Sequence, residues 1–120
     1  MHILIAEDEL QNQRLLQRIF SRMNIETTIV ENGIDVINST ISYDLLILDL
    51  SLPDMDGLDV AIQIRKGMTI LPINLPILLL SGKSKDLMQS YCNSYAINDF
   101  IQKPFGLDDI MNKAKRLLAL

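Results

Sequence analysis

Short uninterrupted apolar runs alternate along this chain with stretches whose apolar residues recur at helical spacing, and that alternation leaves few folds open. Ile3–Ala6 is the first run; Leu15, Leu16, Ile19, Phe20 and Met23 then recur every three or four residues. The β-branched run Ile25–Val30 predicts a second strand, broken by Asn32-Gly33, and Ile34, Ile37 and Ile41 mark a short helix. Leu45–Leu48 predicts a third strand ended by Asp49; Pro53 and Gly57 make a loop before a helix begun by Leu58, Ala61 and Ile62. Met68–Leu75 is an apolar connector that Pro72 keeps irregular. Pro76 opens the strand Ile77–Leu80, and Leu87, Met88, Tyr91, Cys92 and Tyr95 line one side of a fourth helix. Phe100–Gln102 is a brief last strand, followed by the helical stripe Leu107, Ile110, Met111, Ala114, Leu117 and Leu118.

Strands that are apolar throughout, rather than alternating, are buried on both faces, as in a parallel sheet covered by helices. Right-handed crossovers then make a doubly wound α/β sheet of five strands the economical topology. The 120 residues fit five β-α units in one domain, with no repeat or low-complexity linker to mark a boundary. Eleven Lys+Arg against 15 Asp+Glu argue against nucleic acid or an anionic membrane as the main partner. The single cysteine, Cys92, excludes an internal disulfide and suits a reducing compartment. No apolar run approaches the roughly 18 residues of a membrane span, and Glu7 interrupts the N-terminal run too early for a signal peptide. A cytoplasmic protein is expected.

In an open parallel sheet, ligands bind beyond the carboxyl ends of the strands. Glu7 and Asp8 follow the first strand, Asp49 ends the third, Ser81 the fourth, and Lys103 follows the fifth. Three carboxylates, a hydroxyl and an ammonium are thus expected on one edge. Clustered carboxylates repel unless a cation relieves them, and an all-oxygen set suits Mg²⁺. An aspartate can act as nucleophile toward phosphorus, and the transferring group then needs donors and positive charge around its oxygens. Mg²⁺, Lys103 and Ser81 would supply these, so phosphoryl transfer to a carboxylate is the chemistry favoured.

Glu7-Asp8-Glu9, the stretch from Asp49 through Pro53 and Asp54-Met55-Asp56 to Gly57, Ser81-Gly82 and Lys103-Pro104-Phe105 together resemble the receiver domain of two-component response regulators. The resemblance covers the whole chain, residues 1–120, as a single receiver domain. It implies a flavodoxin-like sheet of order 2-1-3-4-5. It also implies that Asp49 accepts phosphate from a sensor histidine kinase or a histidine phosphotransfer protein. Glu7, Asp8, Asp49 and the Ser51 backbone carbonyl would hold Mg²⁺, while Ser81 and Lys103 would bind phosphoryl oxygens. Phe100 matches the aromatic switch of the family, and the Lys103-Pro104 peptide is expected to be cis. The protein would catalyse its own phosphorylation and dephosphorylation, not turn over a separate substrate. Its helix 4–strand 5–helix 5 surface would then address an output protein or domain, with homodimerisation on phosphorylation allowed. Lys83 and Ser51, two residues past Ser81 and Asp49, are expected to tune phosphate lifetime.

Gly82 stands where the family usually has Ala, Glu7 replaces the commoner Asp, and Phe100 the frequent Tyr. Ala96-Ile97-Asn98-Asp99 lacks the usual Gly, so that turn is expected to differ. Blander roles compete at several positions. Glu7 and Asp8 could cap the first helix, Phe100 could be plain core, and Asp54 and Asp56 are expected to be solvated turn residues. Tyr91 and Tyr95 suit packing or a partner surface, Cys92 and the six methionines suit the core, and His2 precedes the first strand without a ligand partner, which argues against a site role. The alternatives are a receiver-like module without phosphotransfer and, more remotely, a small phosphatase of the haloacid-dehalogenase type built on Asp54-Met55-Asp56-Gly57. In that type the nucleophile directly follows a buried strand, whereas Pro53 precedes Asp54 here. A flavodoxin-like electron carrier is disfavoured because Glu7 and Asp8 would repel a flavin phosphate, and an EF-hand fails because Leu52 occupies a ligand position.

Overall fold

The computed structural model describes residues 1–120. Its strands are β1 (His2–Ala6), β2 (Glu26–Val30), β3 (Leu45–Asp49), β4 (Ile77–Ser81) and β5 (Asp99–Gln102). The helices between and after them are α1 (Leu10–Arg22), α2 (Gly33–Ile37), α3 (Gly57–Arg65), α4 (Lys85–Tyr95) and α5 (Leu107–Leu117). All neighbouring strands pair in parallel, in the order β2-β1-β3-β4-β5.

The pleat of the central strands divides the core in two. Leu4, Ala6, Leu46, Leu48, Ile77 and Leu79 face α2, α3 and α4, meeting Val36, Val60, Ala61, Ile64, Met88 and Cys92. Ile3, Ile5, Leu45, Ile47, Leu78 and Leu80 face α1 and α5, meeting Leu16, Ile19, Phe20, Ile110 and Ala114. Burial on both faces explains why β1, β3 and β4 carry no alternation. The edge strands β2 and β5, exposed or half-buried except at Ile101, depart from it.

Several expectations need correction. Helix α2 stops at Ile37, and Ile34 and Ile41 are each 50% exposed, because this short helix buries Val36 instead. Leu107 and Leu87 are also exposed, leaving Ile110 and Ala114 of α5 and Met88 and Cys92 of α4 to make the core contacts. Of the methionines only Met88 is fully buried, while Met1 and Met68 are exposed. The connector 68–75 forms no regular element, as expected. His2 lies within β1 and not before it; its Nε2 is 2.7 Å from Thr28 Oγ1, and its ring packs edge-on against Tyr43.

The turn before β5 is made by Ala96. With φ 54° and ψ 40°, it ends α4 in the left-handed region usually given to glycine. The Arg65 guanidinium braces it, donating to the carbonyls of Ala96 and Ile73 and to Asn98 Oδ1 at 2.9–3.0 Å. Asn98 Oδ1 also accepts the Ile77 N–H, so one arginine joins α3, the connector and the entries to β4 and β5.

Candidate functional site

β1, β3 and β4 deliver their last residues to one rim of the sheet, and the turn after β5 brings Lys103 there. Main-chain bonds hold that rim together: Leu50 N–H donates to Leu80 O at 2.9 Å, and Lys103 N–H to Ser81 O at 2.7 Å. Gly57 is required by close approach. A Cβ there would lie 2.6 Å from the Asp49 carbonyl oxygen and 3.0 Å from Leu50 Cα. The loop 50–56 therefore folds back tightly, with Gly57 N–H donating to Leu50 O and Ser51 bridging Asp56.

Glu7, Asp49 and Ser81 are the buried polar residues of the chain, whereas Asp8 is exposed. Lys103 Nζ stands 2.9 Å from Glu7 Oε1 and 3.0 Å from Asp49 Oδ2. The remaining lone pairs are answered locally. Asp49 Oδ1 accepts the Ser51 N–H at 3.0 Å, and Glu7 accepts from Asn12 Nδ2 and the Glu9 N–H. Gln13 Nε2 donates to the Glu7 carbonyl at 2.7 Å, fixing the loop from below. Burial pulls the Lys103 ammonium toward neutrality, but its hydrogen bonds and charge contacts with Glu7 and Asp49 prevail and hold its pKa above the ordinary lysine range.

Carboxylate oxygens of Glu7, Asp8 and Asp49 lie within 4.8 Å of one another. Opposite ligands of an octahedral Mg²⁺ sit about 4.2 Å apart, so this all-oxygen set fits the ion with sub-ångström adjustment. Ser51 is exposed, and its carbonyl belongs to the same loop. Ser81 Oγ accepts the Lys83 N–H at 3.1 Å, and Lys83 is exposed beside Gly82, where an added Cβ would meet nothing within 4 Å. The Lys103-Pro104 peptide is cis. Beside it a cleft of about 420 Å³ is lined by Glu9, Asn12, Leu15, Lys103, Pro104 and Phe105.

Phe100 sits apart from the acids, half-buried against the core beneath α3 and α4, with Lys113 Nζ 5.2 Å from its ring centroid. Lys113 also donates to the Phe100 carbonyl at 2.7 Å and pairs with Asp99, as does Arg116. Tyr91 and Tyr95 pack edge-on to each other at 6.3 Å, half-buried on α4. Neither they nor Cys92 enter the acidic site; burial pushes the Cys92 thiol up to about 11.

Asp54 and Asp56 are not idle turn residues. Asp56 caps α3 by accepting the Leu58 N–H at 2.8 Å. Asp54 caps α2 instead, taking the N–H groups of Gly33 and Ile34 at 2.8 and 2.9 Å, and these donors, Gly33 first, lower its pKa. Gly33 is favoured by its neighbours Met55 and Val60, since a Cβ there would meet Met55 Sδ at 2.7 Å and Val60 Cγ2 at 3.0 Å. The supports Asn12, Gln13 and Asp54 escaped the sequence reading because their partners are main-chain or single side-chain atoms that no spacing marks.

Comparison with known proteins agrees with this geometry. Residues 3–115 match the response regulator receiver domain family. The chain is 32% identical over 118 residues to the transcriptional regulatory protein ResD of Bacillus subtilis, covering 97% of this chain and 47% of that protein. It is 31% identical over 119 residues to the response regulator ArlR of Staphylococcus epidermidis, covering 98% and 52% respectively. The chain thus spans about half the length of these relatives. Among solved structures, the response regulator TrrA of Thermotoga maritima, in complex with Mg²⁺-BeF, superposes with a TM-score of 0.83 at 31% identity, covering 97% of each chain. The receiver domain of a sensor histidine kinase from Pseudomonas aeruginosa, with a magnesium ion coordinated in its active site cleft, superposes with a TM-score of 0.86 at 25% identity, covering 99% of this chain and 98% of that one. The chain belongs to the response regulator receiver domain family of two-component systems, whose general function is that of a phosphorylation switch.

Proposed function

We propose that residues 1–120 act as one receiver unit in which Asp49 accepts a phosphoryl group from a phosphohistidine, carried by a sensor kinase or a phosphotransfer protein. The observation that carries this is the Lys103 ammonium shared between the buried carboxylates of Glu7 and Asp49. It offsets the negative charge that the two carboxylates gather at the rim and stands ready to meet charge developing on the incoming phosphoryl oxygens. Asp49 Oδ2 attacks phosphorus, the bond to the donor imidazole nitrogen breaks, and the nitrogen keeps the electron pair. Glu7, Asp8, Asp49 and the Ser51 carbonyl would hold Mg²⁺, which supplies further positive charge to those oxygens. The Ser81 hydroxyl would donate to one of them. Ser51 and Lys83 flank the approach of a hydrolytic water and set phosphate lifetime.

The response travels through Ser81, the loop into α4, and Phe100 on β5, so that the α4–β5–α5 face alters its affinity for an output protein or domain. Asp54, the nucleophile of a phosphatase reading, is already committed to the N-terminus of α2, which speaks against that alternative. Acetyl phosphate or beryllofluoride with Mg²⁺ is expected to modify Asp49, followed by intact mass and NMR. Labelling that survives Asp49→Asn overturns the assignment, and an unchanged decay rate in both Ser51 and Lys83 variants removes their tuning role.

A further inference from the structure

The segment between Ser81 and α4 is held at both sides of one residue. Lys83 donates its N–H to Ser81 Oγ at 3.1 Å, and its carbonyl accepts from the Gln102 side-chain amide, also at 3.1 Å. Gln102 lies beside Ser81 in the β4–β5 register, and the residue just after β5, Lys103, donates its N–H to the Ser81 carbonyl. Two consecutive residues, the last of β5 and the one after it, thus bind the start of the loop, one through its side chain and one through its main chain. The rest of the segment is loosely kept: Gly82 has open space where a Cβ would be, Lys83 is exposed, and the Ser84 hydroxyl is occupied in capping α4.

The Asp49 carboxylate, meanwhile, is bonded to Ser51 N–H and Lys103 and not to Ser81, whose oxygen faces the Lys83 N–H. Swinging the Ser81 oxygen toward a phosphoryl group on Asp49 gives up its bond from the Lys83 N–H and frees the Gly82–Lys83 peptide to follow, while the Gln102 amide holds the next peptide, Lys83–Ser84, in place. Taking Asp49 as phosphoacceptor, on which this inference rests, we propose that Gln102 is a positioning residue that tethers the Ser81–Ser84 segment in its unphosphorylated arrangement and so opposes phosphorylation.

Gln102→Met keeps the length of the side chain and removes the donor. With Mg²⁺ present, it is expected to bind beryllofluoride about three- to tenfold more tightly than the wild type, the span of one neutral hydrogen bond. Before beryllofluoride is added, its Gly82 and Lys83 amide resonances should already be displaced along the line joining the free and bound wild-type positions. A structural role alone would lower Tm and weaken binding. Gln102→Thr, which retains strand preference, repeats the measurement should the first variant not fold. Unchanged or weaker affinity in a folded variant, with the two resonances unmoved, overturns the tether. Failure of the wild type to bind beryllofluoride overturns the phosphoacceptor assignment and the tether with it.

Discussion

Lys103 Nζ and Asp49 Oδ2 lie 3.0 Å apart across 54 residues of chain, and the same ammonium is 2.9 Å from Glu7. Removing one partner of a buried ion pair leaves the others uncompensated, at a cost of about 3 kcal/mol. Lys103→Met is therefore expected to lose about that much stability in the presence of a chelator. The deficit should shrink when Mg²⁺ is added, because the ion fits the carboxylates that the lysine no longer neutralises. Urea denaturation with and without Mg²⁺ checks both halves; equal deficits in the two conditions would contradict the assignment of the acids as a cation site.

Gly57→Ala pushes a methyl group onto main-chain atoms, 2.6 Å from the Asp49 carbonyl oxygen. Backbone cannot step aside as a side chain can, so a loss of about 2–3 kcal/mol is expected, together with slowed phosphorylation as Asp49 shifts. Gly33→Ala meets side chains instead, Met55 Cγ and Sδ and Val60 Cγ2 at 3.0 Å, so Met55 must turn to another rotamer, while the helix gains up to about 1 kcal/mol in propensity. Its net effect should be clearly smaller. Denaturation midpoints of the two variants side by side test this contrast.

Ala96→Gly should stabilise the protein by about 0.5–1 kcal/mol. The left-handed conformation costs an L-residue about 1–2 kcal/mol, and the extra freedom of glycine in the unfolded chain returns part of that. Arg65→Met removes three hydrogen bonds around the same turn and should act in the opposite direction. Both are read from Tm.

Asp54 yields a prediction in pH. Its folded pKa is depressed by the Gly33 and Ile34 amides, so near its pKa the unfolded state binds more protons. The stability it confers is present above the unfolded value, about 3.9, and is lost as pH falls through the folded one. Asp54→Asn should therefore be less stable than the wild type at pH 7, with the gap closing below about pH 4. A gap of constant size from pH 7 to pH 3 would show that the carboxylate charge contributes nothing.

The layer architecture was legible because β1, β3 and β4 are buried on both faces and cannot hide in an alternating pattern. The chemical residues were legible for a related reason: Glu7, Asp49 and Ser81 each interrupt an apolar run where its strand ends, and Lys103 follows the short last strand. Helix α2 was less so, since it is anchored by a carboxylate twenty residues downstream and not by a broad apolar face. Arg65, Gln102 and Asn12 left no mark in the sequence, because each acts on a main-chain carbonyl or a lone oxygen whose position only the tertiary fold determines. The absent glycine before β5 was visible, but its replacement by a braced Ala96 was not.

The rim is assembled from four strands spread between residues 7 and 103, and no two neighbours in sequence suffice to build it. A ribosome-bound chain that has not yet released β5 has an Asp49 but no lysine to hold it. On the role proposed for Asp49, phosphorylation competence would report on completed folding. A kinase acting on this receiver would pass over nascent and partly unravelled copies without any device dedicated to recognising them.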